Sequence, residues 1–346
     1  MNFKKKIIIE DLKITELSNF QKFLKKNFEK KHIFSNKNNL IYFQHLKKNK
    51  KRFNFKIVKF NNKIVAVHGY IPLYKFDEKL SKKQIFLSFL YSKPMLKFPI
   101  FPLTLRKILE KNNFDFVGTI GLTKQLIPFH KSQGFKMYKM NHHVFLTEKI
   151  KKYKIANVPK KIKNKLIKAK NKFKFYELSE NFLKKNASKK IFLHQVPNKS
   201  NDYLINRYLK HPIYNYLIYG VFNNSKSLKL IFVLRKINIK NSIVYKMVDL
   251  LGSEKDLPKI KYALNDIIDK NKAEYIDLYS FGLSSSTLKK ASFINVNKIK
   301  NLIIPNHFEP FRKKNIDIIC GYKSRFINKV RIFRGDADQD QPRFIN

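Results

Sequence analysis

One arrangement occurs twice in this chain, and that repeat limits the fold more than any other feature. The stretch FDFVGTIGLTKQLIPFHKSQGFKMYKMNHHVF, Phe114 to Phe145, reads as a buried strand to Ile120, a tight turn at Gly121, a short helix with Thr123 as its N-cap, a second glycine at Gly134, and another strand. The later stretch AEYIDLYSFGLSSSTLKKASFINV keeps the order. A strand runs from Glu274, Gly282-Leu283-Ser284 stands for Gly121-Leu122-Thr123, and Ser292-Phe293 stands for Gly134-Phe135, with a helix about one turn shorter. Two divergent units in tandem, of α/β (α+β) class, are therefore expected.

The flanking segments fit two such units. Ile7 to Glu10 reads as a strand, and the segment behind it carries Leu17, Phe20, Leu24 and Phe28 on one helical face. FKIVKFNNKIVAVHGYIPLY is a hairpin whose Asn61-Asn62 turn accepts positive φ, and Gln84 to Tyr91 is a further strand. A Lys-rich segment around Pro159 reads as a linker into a surface helix, which puts the units at 1–151 and 152–346. In the second unit two strands separated by a loop at Asn238 to Ser242 precede a helix with Ile260, Ala263, Leu264, Ile267 and Ile268 on one face.

The chain of 346 residues is strongly basic, with 74 Lys and Arg against 24 Asp and Glu, a formal charge of +50. Such a field attracts phosphates, anionic surfaces and polyanions. Only nine of the 74 are arginine, however, and the lysines are spread through every segment together with many Asn, Ile and Phe. That is the pattern of a biased genome more than of a nucleic-acid reader, which uses arginine for bidentate contacts, and no nucleic-acid module signature is present. Nucleic acid is therefore a partner the charge allows but does not favour. The lone Cys320 excludes an intramolecular disulfide framework and a CxxC metal site, no metal is expected, and a reduced, cytoplasmic setting is the expectation. No run of 18 apolar residues offers a membrane span.

The order strand, helix, "GF", strand resembles the acyl-coenzyme A half of the GNAT acyltransferase superfamily. The resemblance implies two units, each a mixed, mostly antiparallel central sheet flanked by helices, with acetyl-CoA or another acyl-CoA as co-substrate. It implies a donor held along the strand Gln84 to Tyr91, with Phe89, Leu90 and Tyr91 at its end, and at the helix start near Leu103. Relatives of this kind carry a glycine-rich loop at that helix start, where backbone amides approach a pyrophosphate. This chain has SKPMLKFPIFPLTLRKIL, with Pro94, Pro99 and Pro102 and no glycine, so Lys97 and Arg106 become the expected phosphate holders. His130 stands where the family commonly has a tyrosine four residues before "GF", which implies the acid that protonates the leaving thiolate. In the second copy that place is Leu288.

Other residues stand out on their own chemistry. Asp249 interrupts the apolar run Val248, Leu250, Leu251, so it is either paired or raised in pKa, and is a candidate general base. His211 and Tyr214 flank the turn at Pro212, and Glu309 lies in the proline-bracketed IIPNHFEPF; all three are candidates to hold a polar acceptor. The tail RIFRGDADQDQPRF carries Asp336, Asp338 and Asp340, without the glycine and glutamate of a calcium loop. These carboxylates either clasp cations of the same chain or hold the acceptor. NHFEP and GDADQDQPR together resemble GNAT-like proteins encoded with bacterial surface-polysaccharide assembly. That resemblance implies acyl transfer to the amine of a nucleotide- or lipid-linked sugar, with FemAB-like transfer from aminoacyl-tRNA and a non-catalytic binding module as alternatives.

Overall fold

The computed structural model describes residues 7–47, 51–94, 100–110, 113–147, 149–150, 152–160, 162, 173–186 and 189–342. The Lys-rich surface helix expected after Pro159 and the expected phosphate ligand Lys97 lie outside the described residues.

In chain order the strands are β1 (Ile7–Lys13), β2 (Arg52–Phe60), β3 (Lys63–Pro72), β4 (Gln84–Ser92), β5 (Phe116–Ile120), β6 (Lys136–Lys139), β7 (Asn141–Leu146), β8 (Lys174–Glu177) and β9 (Tyr216–Phe222). They continue with β10 (Leu228–Ile239), β11 (Ser242–Gly252), β12 (Ala273–Phe281), β13 (Ile294–Asn295), β14 (His307–Phe308), β15 (Phe311–Arg312), β16 (Ile319–Ser324) and β17 (Ile332–Phe333). One sheet has the order β1-β2-β3-β4-β5-β16-β6 and the other β13-β7-β12-β11-β10-β9-β8, a mixed α/β arrangement with helices on the sheet faces.

The sheets exchange strands. β7, from the first half of the chain, lies between β12 and β13 in the second sheet, and β16, from the second half, lies between β5 and β6 in the first. The boundary expected at 151/152 therefore separates segments of sequence but not two self-contained sheets. The linker itself is pinned by Glu274, whose carboxylate accepts the N–H groups of Lys154 and Ile155 at 2.9 and 3.0 Å.

Side-chain alternation explains the packing. On β4, Ile85 and Leu87 face Leu105 and Ile108 of the helix Ile100–Leu109. Phe86 points the other way, into a core shared with Phe116, Tyr216, Ile218, Ile231, Val233 and Val248. This shared core joins the two sheets into one body. The helix Leu17–Asn27 buries Phe20 and Leu24 on Phe53, Phe55 and Ile57, and the helix Ile260–Asn271 buries its predicted apolar face on the second sheet.

The repeat is equally clear in the backbone. Gly121 and Gly282 have φ of 80° and 86°, and Gly134 and Ser292 have 82° and 65°. Phe135 N–H donates to the His130 carbonyl and Phe293 N–H to the Leu288 carbonyl, both at 3.0 Å. The Asn61-Asn62 hairpin turn occurs as expected, with positive φ at both residues, and the loop expected at Asn238 to Ser242 is a tight turn with positive φ at Lys240 and Asn241.

Each unit splays open between its two central parallel strands. β4 and β5 pair from Gln84↔Phe116 to Leu87↔Thr119, after which β5 ends. A register step between Gly69↔Ser88 and His68↔Leu90 leaves Phe89 unpaired on β4 as a bulge. β11 and β12 part after Met247↔Leu278, and the step from Val233↔Asp249 to Leu234↔Met247 makes Val248 the matching bulge.

The second gap is closed by the chain's own tail. β17 pairs with β12 at Ser280↔Phe333 and Phe281↔Ile332, and Gly335 N–H donates to the carbonyl of the bulge residue Val248 at 2.7 Å. A Cβ on Gly335 would lie 2.7 Å from that carbonyl oxygen, so only glycine fits. Beneath the tail Lys199, fully buried, lies 2.7 Å from both oxygens of Asp249 and 2.9 Å from Asp336. Burial alone would lower the Lys199 pKa, but the two carboxylates outweigh it and raise it. Removing a single partner from such a buried cluster leaves an uncompensated charge. The Lys199→Met variant is expected to lose about 3–5 kcal/mol of stability, read as a shift of the urea midpoint at unchanged slope.

Candidate active site

The tail does not stop at the second gap. Arg207, buried, donates through Nη2 to the carbonyls of Gly335 and Ala337, the former at 3.1 Å. The chain then crosses to the first sheet, where the Phe89 N–H at the β4 bulge donates to the Asp338 carboxylate at 3.0 Å. Two residues on, Asp340 accepts Tyr216 Oη at 2.8 Å and Arg334 Nε at 3.0 Å, and lies 3.2 Å from Arg235 Nε. The Gln339 side chain covers Gly121, whose backbone leaves room for it because no Cβ is present.

Two cavities meet at this point. One, of about 160 Å³, fills the gap between β4 and β5 and is lined by Ser88, Phe89, Leu90, Thr119, His130 and Asp338. The other, of about 450 Å³, lies between the sheets and is lined by Phe89, Tyr214, Arg235, Phe308, Glu309 and Arg334, among others. Phe89, Gly121, Asp338 and Gln339 belong to both walls. Asp338 is the carboxylate at the junction. Burial raises its pKa against the lowering effect of the Phe89 N–H.

The narrow cavity has polar atoms in want of partners. Ser88 Oγ and His130 Nε2 are buried, and neither has a hydrogen-bond partner among the described residues. His130 Nδ1 is 2.8 Å from the Leu126 carbonyl and must donate its proton there. Burial lowers the pKa of the ring, so at neutral pH it is uncharged and Nε2 accepts without donating. That runs against the expected acid role for His130. His68, on the same wall, is bonded to Thr104 Oγ1 at 3.1 Å, and burial holds it neutral with a pKa of about 3.

The wider cavity has an aromatic and charged lining. Tyr214 Oη donates to both Glu309 oxygens, at 3.0 and 2.8 Å, and its ring lies under the Arg235 guanidinium at 4.0 Å. His211 accepts the N–H groups of Ile213 and Tyr214 and stacks on the Tyr214 ring, so it shapes the turn and stands behind the wall. Burial drives its pKa to about 3.

The remaining sequence candidates fall elsewhere. Asp249 and Asp336 are sealed in the Lys199 cluster, where the tail occupies the gap a substrate would need; Asp249 is a structural anchor and not an accessible base. Asp340 is likewise buried. Burial pushes its pKa up, but Arg235 and Arg334 outweigh this and hold it below the usual carboxylate range. Tyr91 donates through Oη to the Asn27 carbonyl and packs on Phe28, away from both cavities. Leu103 is exposed on its helix, and Arg106 is on the same surface, 3.1 Å from Glu110. Neither touches the cavities. Among the described residues no group of three or more His, Cys, Asp or Glu side chains is placed to hold a metal ion.

Sequence reasoning did not single out Ser88, Gln339 or Lys199, and it gave no site role to Gln341 or Arg334. A signal for the last was present: in a chain that writes nearly every cation as lysine, Arg207, Arg235 and Arg334 are all buried around the tail.

No family model matches the sequence, and no curated protein resembles it at the sequence level. Solved structures do resemble it in fold. A GCN5-related N-acetyltransferase from Anabaena variabilis superposes with a TM-score of 0.56 at 10% identity, over 92% of this chain and 73% of that one. Saccharomyces cerevisiae N-myristoyltransferase, solved with myristoyl-CoA and inhibitors, superposes with a TM-score of 0.50 at 10% identity, over 95% of this chain and 82% of that one. The fold reached from the sequence repeat, the splayed sheets and the exchanged strands is that of the GCN5-related N-acetyltransferases.

Proposed function

We propose that the protein is an acyltransferase that moves an acyl group from an acyl-CoA thioester to an amine, with Asp338 as the general base. The observation that carries this reading is the position of Asp338, where a narrow cleft between splayed strands opens into a wider cavity. A thioester in the cleft and an amine in the cavity would meet at this carboxylate. The Phe89 N–H fixes its orientation, and its raised pKa makes it a stronger base than an exposed aspartate.

The reaction balances without any further reagent. The amine nitrogen attacks the thioester carbonyl carbon, the new C–N bond forms as the C–S bond breaks, and Asp338 takes the proton lost from nitrogen. The thiolate leaves and is protonated by solvent. Ser88 Oγ and His130 Nε2 are suited to hold a slender amide-bearing arm, Ser88 as donor or acceptor and His130 as acceptor. Only the first unit serves as donor site, since the tail fills the gap of the second. Glu309 and Tyr214 sit on the acceptor wall, and an amino-sugar intermediate of surface-polysaccharide assembly is the acceptor class we favour.

Aminoacyl transfer from tRNA is a second reading, favoured by one observation. A separate open cleft of about 1180 Å³ is lined by Lys47, Lys51, Arg52, Lys56, Lys82 and Lys107. Two of these cations, Lys47 and Lys56, are already paired with Asp11 at 2.6 Å, which weakens it. Binding of tRNA that loses affinity steeply with salt, together with no acetyl-CoA binding, would favour this reading.

Calorimetry with acetyl-CoA and longer acyl-CoA thioesters is expected to give micromolar binding to the full chain; silence across that panel would sink the proposal. Thiol release with an amine acceptor is expected to fall by about 10²-fold or more in Asp338→Asn, with donor affinity nearly unchanged. The base works only when deprotonated, so wild-type kcat/KM should rise with pH through an inflection above the ordinary aspartate range. Asp338→Asn should lose that inflection.

A further inference from the structure

Arg334 is charged and only 6% exposed, yet its hydrogen bonding is incomplete. Nε donates to Asp340 at 3.0 Å and Nη2 reaches the Asn306 carbonyl at 3.5 Å, while Nη1 has no hydrogen-bond partner among the described residues. The residue lines the wider cavity. A buried guanidinium hydrogen without an acceptor is costly, and it marks a place where an acceptor belongs. Gln341, on the same wall, presents the opposite need: its Oε1 is buried without a donor.

The cavity wall also carries the carboxylates of Asp317, Asp338 and Glu309, so the need for an acceptor is local to Arg334 and is not a property of the wall as a whole. Arg235 and Arg334 both neutralise themselves on one carboxylate, Asp340. Behind them Lys246 reaches Asp277 and Asn306 at 3.3 Å each. Burial above all, with Arg334 beside it, lowers the Lys246 pKa to about 7. Phe28, Phe89 and Phe308 also line this cavity and give it apolar contact surface beside the polar groups.

We propose that the acceptor is an anionic hydroxylated ring compound, whose carboxylate or phosphoryl oxygen is received by Arg334 Nη1 while a hydroxyl or N–H of the ring donates to Gln341 Oε1. This rests on the wider cavity being the acceptor site of the proposed transfer. It goes beyond that reading by fixing the charge of the substrate. Arg334 and Gln341 are specificity residues in this scheme, with Arg235 and Asp340 positioning the guanidinium.

The test is calorimetry on the full chain at fixed ionic strength with no acyl donor present. The probes are glucosamine 1-phosphate, 2-amino-2-deoxyglucuronate and methyl glucosaminide, which shares their amine but has no anionic group. At least one of the first two is expected to bind about tenfold or more tightly than methyl glucosaminide, as a charge-assisted hydrogen bond would give, and the better of the two identifies the anion. In Arg334→Lys, which keeps a cation for Asp340 but has no Nη1, that preference should fall to near unity, with the melting temperature reporting that the variant is folded. Gln341→Leu, outside the ion-pair network, should weaken all three sugars several-fold and leave the anion preference standing. Equal binding of the three sugars to the wild type, no binding of any, or a preference retained in folded Arg334→Lys would each overturn the inference. Because no donor is used, a failure here is distinct from a failure of acyl-CoA binding, which tests the transferase reading instead.

Discussion

Three carboxylates fall within five residues of the tail, Asp336 and Asp340 buried and Asp338 half-buried, and the molecule is arranged around meeting that demand. A buried carboxylate must find a cation or several hydrogen-bond donors, or remain protonated. Asp336 finds Lys199, Asp340 finds Arg235 and Arg334, and Asp338 takes the Phe89 N–H. The two outer residues are therefore locked in ion pairs, and the middle one is held by neutral donors at a cavity wall. This gradation separates structure from chemistry within a single short segment. It also explains why the tail can pass through the centre of the protein: Arg207 satisfies its carbonyls at Gly335 and Ala337.

The same tail treats two related gaps differently. At the bulge of the second sheet it offers backbone, Gly335 N–H to the Val248 carbonyl, and the gap is filled. At the bulge of the first sheet it offers a side chain, Asp338 to the Phe89 N–H, and a cavity of about 160 Å³ remains beside it. A main chain pairs along a strand edge and leaves no room; a short carboxylate touches one donor and leaves the rest of the edge free. Duplicated scaffolding has thus yielded one open cleft and one structural joint. The pair of positions His130 and Leu288 follows that division, a polar group facing the open gap and an apolar one in the closed unit.

Much of the fold was legible because it rests on local rules. Left-handed turns at Gly121 and Gly134 and at their counterparts Gly282 and Ser292 impose a strand, helix, strand order that any chain reader can detect. Alternation on β4 and the Asn61-Asn62 turn are equally local. The strand exchange was not legible, since β7 and β16 carry the same pattern whichever sheet receives them; only tertiary packing distinguishes the two. The site suffered similarly. Asp336 and Asp340 look no different in sequence from Asp338, and their fates depend on cations more than a hundred residues away in the chain. Residues chosen by family position, such as Arg106 and Tyr91, turned outward or packed on neighbours. Arginine content carried information that net charge concealed, because three of the nine arginines, Arg207, Arg235 and Arg334, are buried around the tail, where planar, multiply bonded cations are needed.

The exchanged strands have a consequence for how the molecule comes into being. The first sheet is incomplete until residues 319–324 arrive between β5 and β6, and its cleft gains a carboxylate only when residue 338 follows. During vectorial synthesis the early half therefore waits with an open seam, without the carboxylate at the mouth of its cleft. Completion of the sheet and placement of that carboxylate become nearly the same event, tied to the emergence of residues 319–338 from the ribosome.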